Sequence, residues 1–295
     1  MPGWAGRARV VATLEGGITN RNSVIEVDGE RFVLRLAGKD THLLEINRTF
    51  EREANERAAS LGLAPEVVAF IEPEGFLVTR FVVGEPLIDR QLGEPATLRR
   101  IAAMLAQFHG SGPLAGEFDA FLIPDRHRAA AASRGVAAPA AYPEIEAIVH
   151  EIASAFAVTP EPRVPCHNDL LGANFLEARD GRLWLLDWEY AGMNDRYFDL
   201  GNFATNNDLE PDAEGALLRA YFGTVTARRA ARLELMKLVS DAREGMWAVV
   251  QQGISTLIFD YAGYAQEHLD RVLSRAHAPG YRALLAAAAE PEGFV

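Results

Sequence analysis

Short apolar stretches with β-branched or alternating character fill the first part of the chain. ARVVATLE, NSVIEVDG, RFVLRLAG, EVVAFIE and GFLVTRFV, within residues 8–82, each read as a strand with one buried face. Asp28-Gly29-Glu30 is a hairpin signal between the second and third. Pro73 and Gly75 separate the last two. One block interrupts them: from about Asn47 to Ser60 helix formers dominate, with Gly62 and Pro65 as a stop.

After Gly84-Glu85-Pro86 the period changes to a helical one. ATLRRIAAMLAQFHG places apolar residues on one helix face and ends at Gly110. The Ala-rich stretch 129–143 reads equally as helix or loop. A β-rich island follows at 163–188, and then helical patterns over Asp208–Phe222, Arg228–Phe259 and about Tyr264–Ala289. The expected architecture is α+β. A small antiparallel sheet with one or two helices occupies residues 1–83, and a larger, mainly helical lobe occupies 84–295, joined by a crossover near Arg80–Gly84.

Bulk properties narrow the function by exclusion. A net charge of −12 argues against the basic face that a nucleic-acid binder needs; it is foremost a solubility property, and it also suits a cationic partner. No window approaches the ~20 apolar residues of a membrane span. No long apolar segment resembling a secretory signal stands at the start, so a cytoplasmic protein is expected. The single cysteine, Cys166, rules out an internal disulfide. It reads as a buried strand residue.

Between Cys166 and Asn202 the chain runs CHNDLLGANFLEARDGRLWLLDWEYAGMNDRYFDLGN. Phosphoryl transfer asks little covalent work of a protein. It needs a carboxylate to orient the attacking hydroxyl, oxygen ligands for Mg²⁺ and positive charge on the phosphates. Asp169, in a loop after a short strand, suits the first role. Asn174 and Asp187, flanking a hairpin, suit the second, because Mg²⁺ prefers hard oxygen donors. A lone Asp in a loop is more often a turn former or a cap. Three such groups around one hairpin make a site the better explanation. Asp195, Asp199 and Asn202, further along, are expected to cap and brace.

The whole stretch resembles the choline/ethanolamine kinase family, within the larger aminoglycoside-phosphotransferase group. LLDWEYAGMNDRYFDLGN is similar to that family's metal-binding segment, and the likeness runs in patches from about Leu14 to Arg271. It implies a two-lobed protein kinase-like fold and transfer of the γ-phosphate of ATP, with Mg²⁺, to a small amino alcohol. Gly16, Gly17, Thr19 and Asn20 resemble the family's GG-x-[ST]-N phosphate turn; by themselves two glycines would only mark a tight turn. Arg35 matches the phosphate-binding basic residue of the third strand. Its implied acidic partner is Glu51, from similarity of Ile46-Asn47-Arg48-Thr49-Phe50-Glu51 to the motif I-D-R-x-x-E; Glu53 and Glu56 compete for that role. Phe81 and Val83, in the crossover, would offer backbone groups to the adenine.

For the acceptor, the resemblance points to Tyr190, Trp247 and Tyr264, aromatic faces suited to an ammonium group. The competing interpretation is that these rings are core. Eukaryotic choline kinases carry a second tryptophan where this chain has Glu244, which shrinks the aromatic enclosure and adds a carboxylate. Choline, ethanolamine and related amino alcohols therefore all stand as acceptors. The same fold acting on an aminoglycoside, thiamine or a sugar is the alternative. A catalytically silent nucleotide-binding protein would be expected to lose one of Asp169, Asn174 and Asp187, and none is lost. Oligomeric state is left open.

Overall fold

A five-stranded antiparallel sheet in the order β1-β2-β3-β5-β4 opens the structure, a computed structural model that describes residues 3–14, 20–87 and 89–292. Its strands are β1 (Ala8–Leu14), β2 (Arg21–Val27), β3 (Glu30–Leu36), β4 (Val67–Ile71) and β5 (Phe76–Arg80). The expected hairpin between β2 and β3 is there: Val27 pairs with Glu30, and Asp28 and Gly29 turn with φ of 51° and 86°. That left-handed pair is what a two-residue turn between twisted strands requires. Ile25, Val27, Phe32 and Val78 form the buried face, with Trp4, Leu34 and Val68 packed on it.

Helix α1 (Arg48–Ser60) starts where the Asn47 side chain accepts from the N–H groups of Thr49 and Phe50, at 3.0 and 3.3 Å. Its buried face is unusual in carrying Glu51 and Asn55 beside Ala54 and Ala58. Gly62, at φ 73°, ends it in the left-handed position that glycine tolerates.

Residues 84–86, expected only as a change of character, form strand β6 (Gly84–Pro86). It pairs with β8 (Phe175–Ala178), which pairs with β9 (Leu183–Leu185). A side chain at Gly84 would lie 2.5 Å from the Glu177 carbonyl oxygen, so only glycine allows these strands to meet. This small sheet belongs to the first of two compact units, Met1–Leu87 with Ala173–Tyr190. The first unit therefore reaches beyond residue 83 and takes in the hairpin that bears Asn174 and Asp187.

The second unit, Ile88–Gly172 with Ala191–Val295, is mainly helical. It contains α2 (Asp89–Leu92), α3 (Pro95–His109), α4 (Ile123–Ser133), α5 (Tyr142–Val158), α6 (Arg196–Asn206), α7 (Pro211–Phe222), α8 (Ala227–Ile254), α9 (Tyr261–Ala276) and α10 (Tyr281–Ala289), with a two-stranded pair of β7 (Val164–Cys166) and β10 (Gly192–Asn194). The ambiguous stretch 129–143 resolves into the end of α4, a loop, and the start of α5. Helix α8 is buried along most of its length and packs against α4, α6, α9 and α10. At its crossing with α6, a side chain on Gly201 would come within 2.9 Å of Met236 backbone and Cβ atoms. That close approach brings the polar residues of α6 and α8 to one side of the catalytic-loop candidate.

Two helix boundaries differ from expectation. The block 228–259 stops at Ile254, where Ser255 turns extended, and Asp260 caps the next helix by accepting from the Gly263 N–H at 2.9 Å. The block 264–289 is two helices, because 277–280 (His-Ala-Pro-Gly) holds a proline that cannot donate and a glycine that continues helix poorly. Among the described residues, no helix is long and apolar enough to cross a membrane.

Candidate active site

Each unit carries its own set of charged groups. In the first, Arg35 on β3 is buried and forms an ion pair with Glu51 on α1. Glu51 is thus the arginine's partner; Glu53 is half-buried and Glu56 exposed. Burial draws the Arg35 pKa down to about 10, helped by the like charge of Arg48 and opposed by Glu189 and Asp187. Arg35 is still a full cation at neutral pH.

Arg48 ties the set together. One Nη donates to Glu51 at 2.8 Å and to Glu189 at 2.9 Å, and the other donates to the Asn20 side-chain oxygen at 2.9 Å. Asn20 closes the ring by donating to Glu189 at 2.8 Å. Arg48 and Glu189 were not singled out from sequence, although both lie inside the quoted motifs. Asn20 alone of the glycine turn can be placed. Gly16, Gly17 and Thr19 lie outside the described residues.

Asp187 follows β9 at φ 63°, a left-handed conformation that few side chains other than Asn and Asp adopt. The N–H of Leu186, just before it, donates to the Asn174 carbonyl at 2.9 Å, so the hairpin brings the two metal candidates together. Water reaches the Asp187 carboxylate. The protein packed around it and the Glu189 carboxylate push its pKa up to about 7, while Arg35 and Arg48 pull the other way. With water at the oxygens, repulsion from Glu189 is the more durable cause. Carboxylate oxygens of Glu51, Asp187 and Glu189 lie within 4.8 Å of one another. A concentration of acid that raises one member's pKa, with only oxygen donors, fits a hard divalent cation such as Mg²⁺. Phe81 donates its N–H to the Arg31 carbonyl at 3.2 Å, so a base edge would meet its carbonyl or the exposed Val83. Tyr190 is buried in this unit.

In the second unit the loop after β7 is held from below. The N–H groups of His167 and Asn168 both donate to Asp199 on α6, at 2.8 and 2.7 Å. Leu170 donates to Asn202 at 2.6 Å, and the Leu170 carbonyl accepts from Asn207 at 2.9 Å. Asn168 takes φ 67°, with its side-chain oxygen accepting from Asn194 at 2.8 Å. His109 also reaches Asp199, at 3.0 Å through Nε2, which must carry the proton because a carboxylate only accepts. The expected bracing roles of Asp199 and Asn202 are borne out, Asp195 caps α6, and His109 adds a third donor to Asp199. Cys166 is buried, and burial pushes its thiol pKa well up, so it is no nucleophile.

Asp169, partly accessible, accepts through Oδ1 from Arg243 on α8 at 3.1 Å. The same nitrogen of Arg243 donates to Glu244. The other Glu244 oxygen is 3.4 Å from the Tyr264 hydroxyl. Burial, followed by the Glu244 charge, pushes the Tyr264 pKa up, so it stays a neutral phenol. Trp247, one helical turn from Glu244, meets Tyr261 and Tyr264 edge-on at 6.1 and 6.2 Å. Phe259 lies against both tyrosines. Tyr261 joins Trp247 and Tyr264 as an aromatic neighbour, and Arg243 and Phe259 are additions that the sequence does not single out. Arg243 sits in a run of polar residues, Ser240, Asp241 and Glu244, inside a helix that is buried along most of its length.

A phosphotransferase enzyme family model matches residues 10–233. The chain belongs to that family. This phosphotransferase is 30% identical to Protein LicA of Haemophilus influenzae over 217 residues, 70% of the chain but only 61% of that relative's length. It is 29% identical over 293 residues to mouse ethanolamine kinase 2, covering 90% of the chain and 75% of the kinase. Among solved structures, a choline/ethanolamine kinase family protein from Mesorhizobium loti superposes with a TM-score of 0.80 at 29% identity, covering 98% of the phosphotransferase and 94% of that chain. The fold is accordingly kinase-like, with an antiparallel sheet lobe and a larger helical part.

Proposed function

We propose that this phosphotransferase moves the γ-phosphoryl group of ATP to the hydroxyl of a small amino alcohol of the choline and ethanolamine type, in the cytoplasm. Asp169 orients the acceptor hydroxyl and takes its proton as the phosphorus–oxygen bond forms. Arg35, held by Glu51, neutralises phosphate charge, and Arg48 and Asn20 hold the acids around it. Asn174 and Asp187 would hold Mg²⁺, which supplies charge neutralisation on the transferring phosphates. Phe81 and Val83 carry the adenine contact, and the turn at Gly16, Gly17 and Thr19 the phosphate contact.

The observation that carries the acceptor assignment is the charge count of one cluster in the second unit. Asp169, Arg243 and Glu244 are in direct contact, two acids to one base, leaving one negative charge beside the rings of Trp247 and Tyr264. An ammonium group balances that charge and finds aromatic faces. Two relatives whose names specify ethanolamine kinase or the choline/ethanolamine kinase family support the same acceptor class.

The test is a phosphotransfer panel with choline, ethanolamine, thiamine, kanamycin and a neutral sugar, run with MgATP beside Asp169→Ala. Phosphorylation of an amino alcohol, abolished in the variant, is expected. Turnover of kanamycin or the sugar alone would refute the acceptor assignment.

A further inference from the structure

We propose that Arg243 is a positioning residue for Asp169, and that Glu244 sets it by sharing the same nitrogen. The inference rests on the reading of Asp169 as the group that meets the acceptor hydroxyl. Backbone N–H groups on both sides of Asp169, those of His167, Asn168 and Leu170, are bonded to Asp199 or Asn202 on α6. Asp169's own N–H donates to the His167 ring at 3.2 Å. With these backbone bonds in place, the direction of the Asp169 carboxylate depends on what its side chain meets. Arg243 restrains it by donating to Oδ1 at 3.1 Å.

The clamp is itself aimed. Nη1 of Arg243 carries two hydrogens, and both recipients are carboxylates: Asp169 and the adjacent Glu244. Fixing one hydrogen on Glu244 fixes the direction of the other. Glu244 is braced in turn by the Tyr264 hydroxyl on its second oxygen. The platform is rigid, since Arg243 and Glu244 lie in the buried middle of α8, with Gly245 so close to Leu269 of α9 that an added Cβ would stand 2.7 Å from it.

A purely structural salt bridge would be a poor use of this position. Desolvating a guanidinium and two carboxylates costs several kcal/mol per ion, and an apolar residue packs a helix interface more cheaply. Ala242, Met246 and Val249 on the same helix are of that apolar kind, and the other buried acid close by, Asp241, is paired with His268 and Arg275 and does not touch the catalytic loop residue Asp169. A group that must present one carboxylate oxygen in one direction gains from such a fork. Misplacement of a reacting group by about an ångström is enough to cost ~100-fold in rate.

The test is a double-mutant cycle of Arg243→Lys with Asp169→Asn, measured as kcat and KM with saturating MgATP and the best acceptor of the panel. Arg243→Lys is expected to lower kcat by ~10- to 100-fold, with the nucleotide KM unchanged. In the Asp169→Asn background the same change should alter kcat by less than about twofold, because a residue acting through Asp169 has nothing left to position. Multiplying penalties, or a wild-type kcat for Arg243→Lys, would overturn the proposal. Should Arg243→Lys fold poorly, the Arg243→Gln/Glu244→Gln pair keeps the wild-type net charge and enters the same cycle with the same expectations. An acceptor outside the amino alcohols would sink the acceptor assignment alone, since the cycle reads equally well with any hydroxyl compound, or with water in slow ATP hydrolysis.

Discussion

Arg48 and Glu189 are 141 residues apart in the chain and 2.9 Å apart in the fold. The contact joins the start of α1 to the residue two beyond Asp187, and Arg48 reaches Glu51 and Asn20 from the same guanidinium.

Arg48→Ala should therefore be more damaging than removal of one surface ion pair. It leaves Glu51 and Glu189, both buried, without a shared cation, a loss in the range of about 3–5 kcal/mol. Thermal unfolding should show a Tm lower by ~6 °C or more, and the nucleotide KM should rise as the acids beside Arg35 rearrange. Arg48→Lys should recover part of the stability, because one ammonium cannot serve three partners in two directions. An alanine variant with wild-type Tm would show that the ring is incidental.

Asp187 gives a pH dependence with a definite sign. Its folded pKa of about 7 stands above the unfolded value of 3.8, so the folded protein binds more protons between these pH values. Its contribution to stability is present below pH ~4 and is lost as pH rises toward 7. In metal-free buffer, Asp187→Asn should melt close to wild type at pH 4.5 and above it at pH 8. Since water screens this carboxylate, the gain should be modest, ~1 kcal/mol or about 2 °C. Millimolar Mg²⁺ should raise the wild-type Tm and leave the variant unmoved. Activity should be lost in the variant at every pH.

Asp199→Asn tests the bracing of the catalytic loop. The carboxylate accepts from two backbone amides and from His109, whereas an amide has a single acceptor oxygen. At least one donor is left unpaired in a fully buried place, at a cost of about 1–3 kcal/mol. Hydrogen exchange at the His167 and Asn168 amides should accelerate along with the drop in Tm. Unchanged exchange would assign the rigidity of this loop to packing.

Glu244→Gln keeps the shape of the side chain and removes its charge. The acceptor KM for an ammonium-bearing alcohol should rise about tenfold, with the ATP KM held, since one ion pair of partly buried character is worth roughly 1.4 kcal/mol. Equal KM values for both substrates in variant and wild type would remove Glu244 from acceptor recognition.

Much of this layout was legible because local chemistry announces it. Asp28-Gly29 demanded a left-handed turn and made one, and the strands around it followed from alternation. Asp169, Asn174 and Asp187 stood out as a set, because three oxygen-bearing side chains around one hairpin match what phosphoryl transfer needs, although each alone could be a turn former or a cap. Arg48, Glu189 and Arg243 were less visible for a common reason. Each makes a contact that matters across a long stretch of chain, Arg48 with Glu189 and Arg243 with Asp169, and its near neighbours in sequence do not reveal that contact. The helix end at Ile254 was hidden for the opposite reason. The apolar run Leu257-Ile258-Phe259 continues a helix-like pattern, yet Leu257 and Ile258 are exposed and Asp260 starts a new helix.

The positive φ at Asp187 has an evolutionary consequence. Only glycine, asparagine and aspartate occupy that backbone comfortably, and in the genetic code each of the other two is one base change from aspartate. A lineage that no longer needs the reaction can therefore shed this carboxylate in a single step without disturbing the turn. A descendant that lost catalysis but kept the scaffold should most easily carry Asn or Gly there, which would make position 187 a marker of silenced copies.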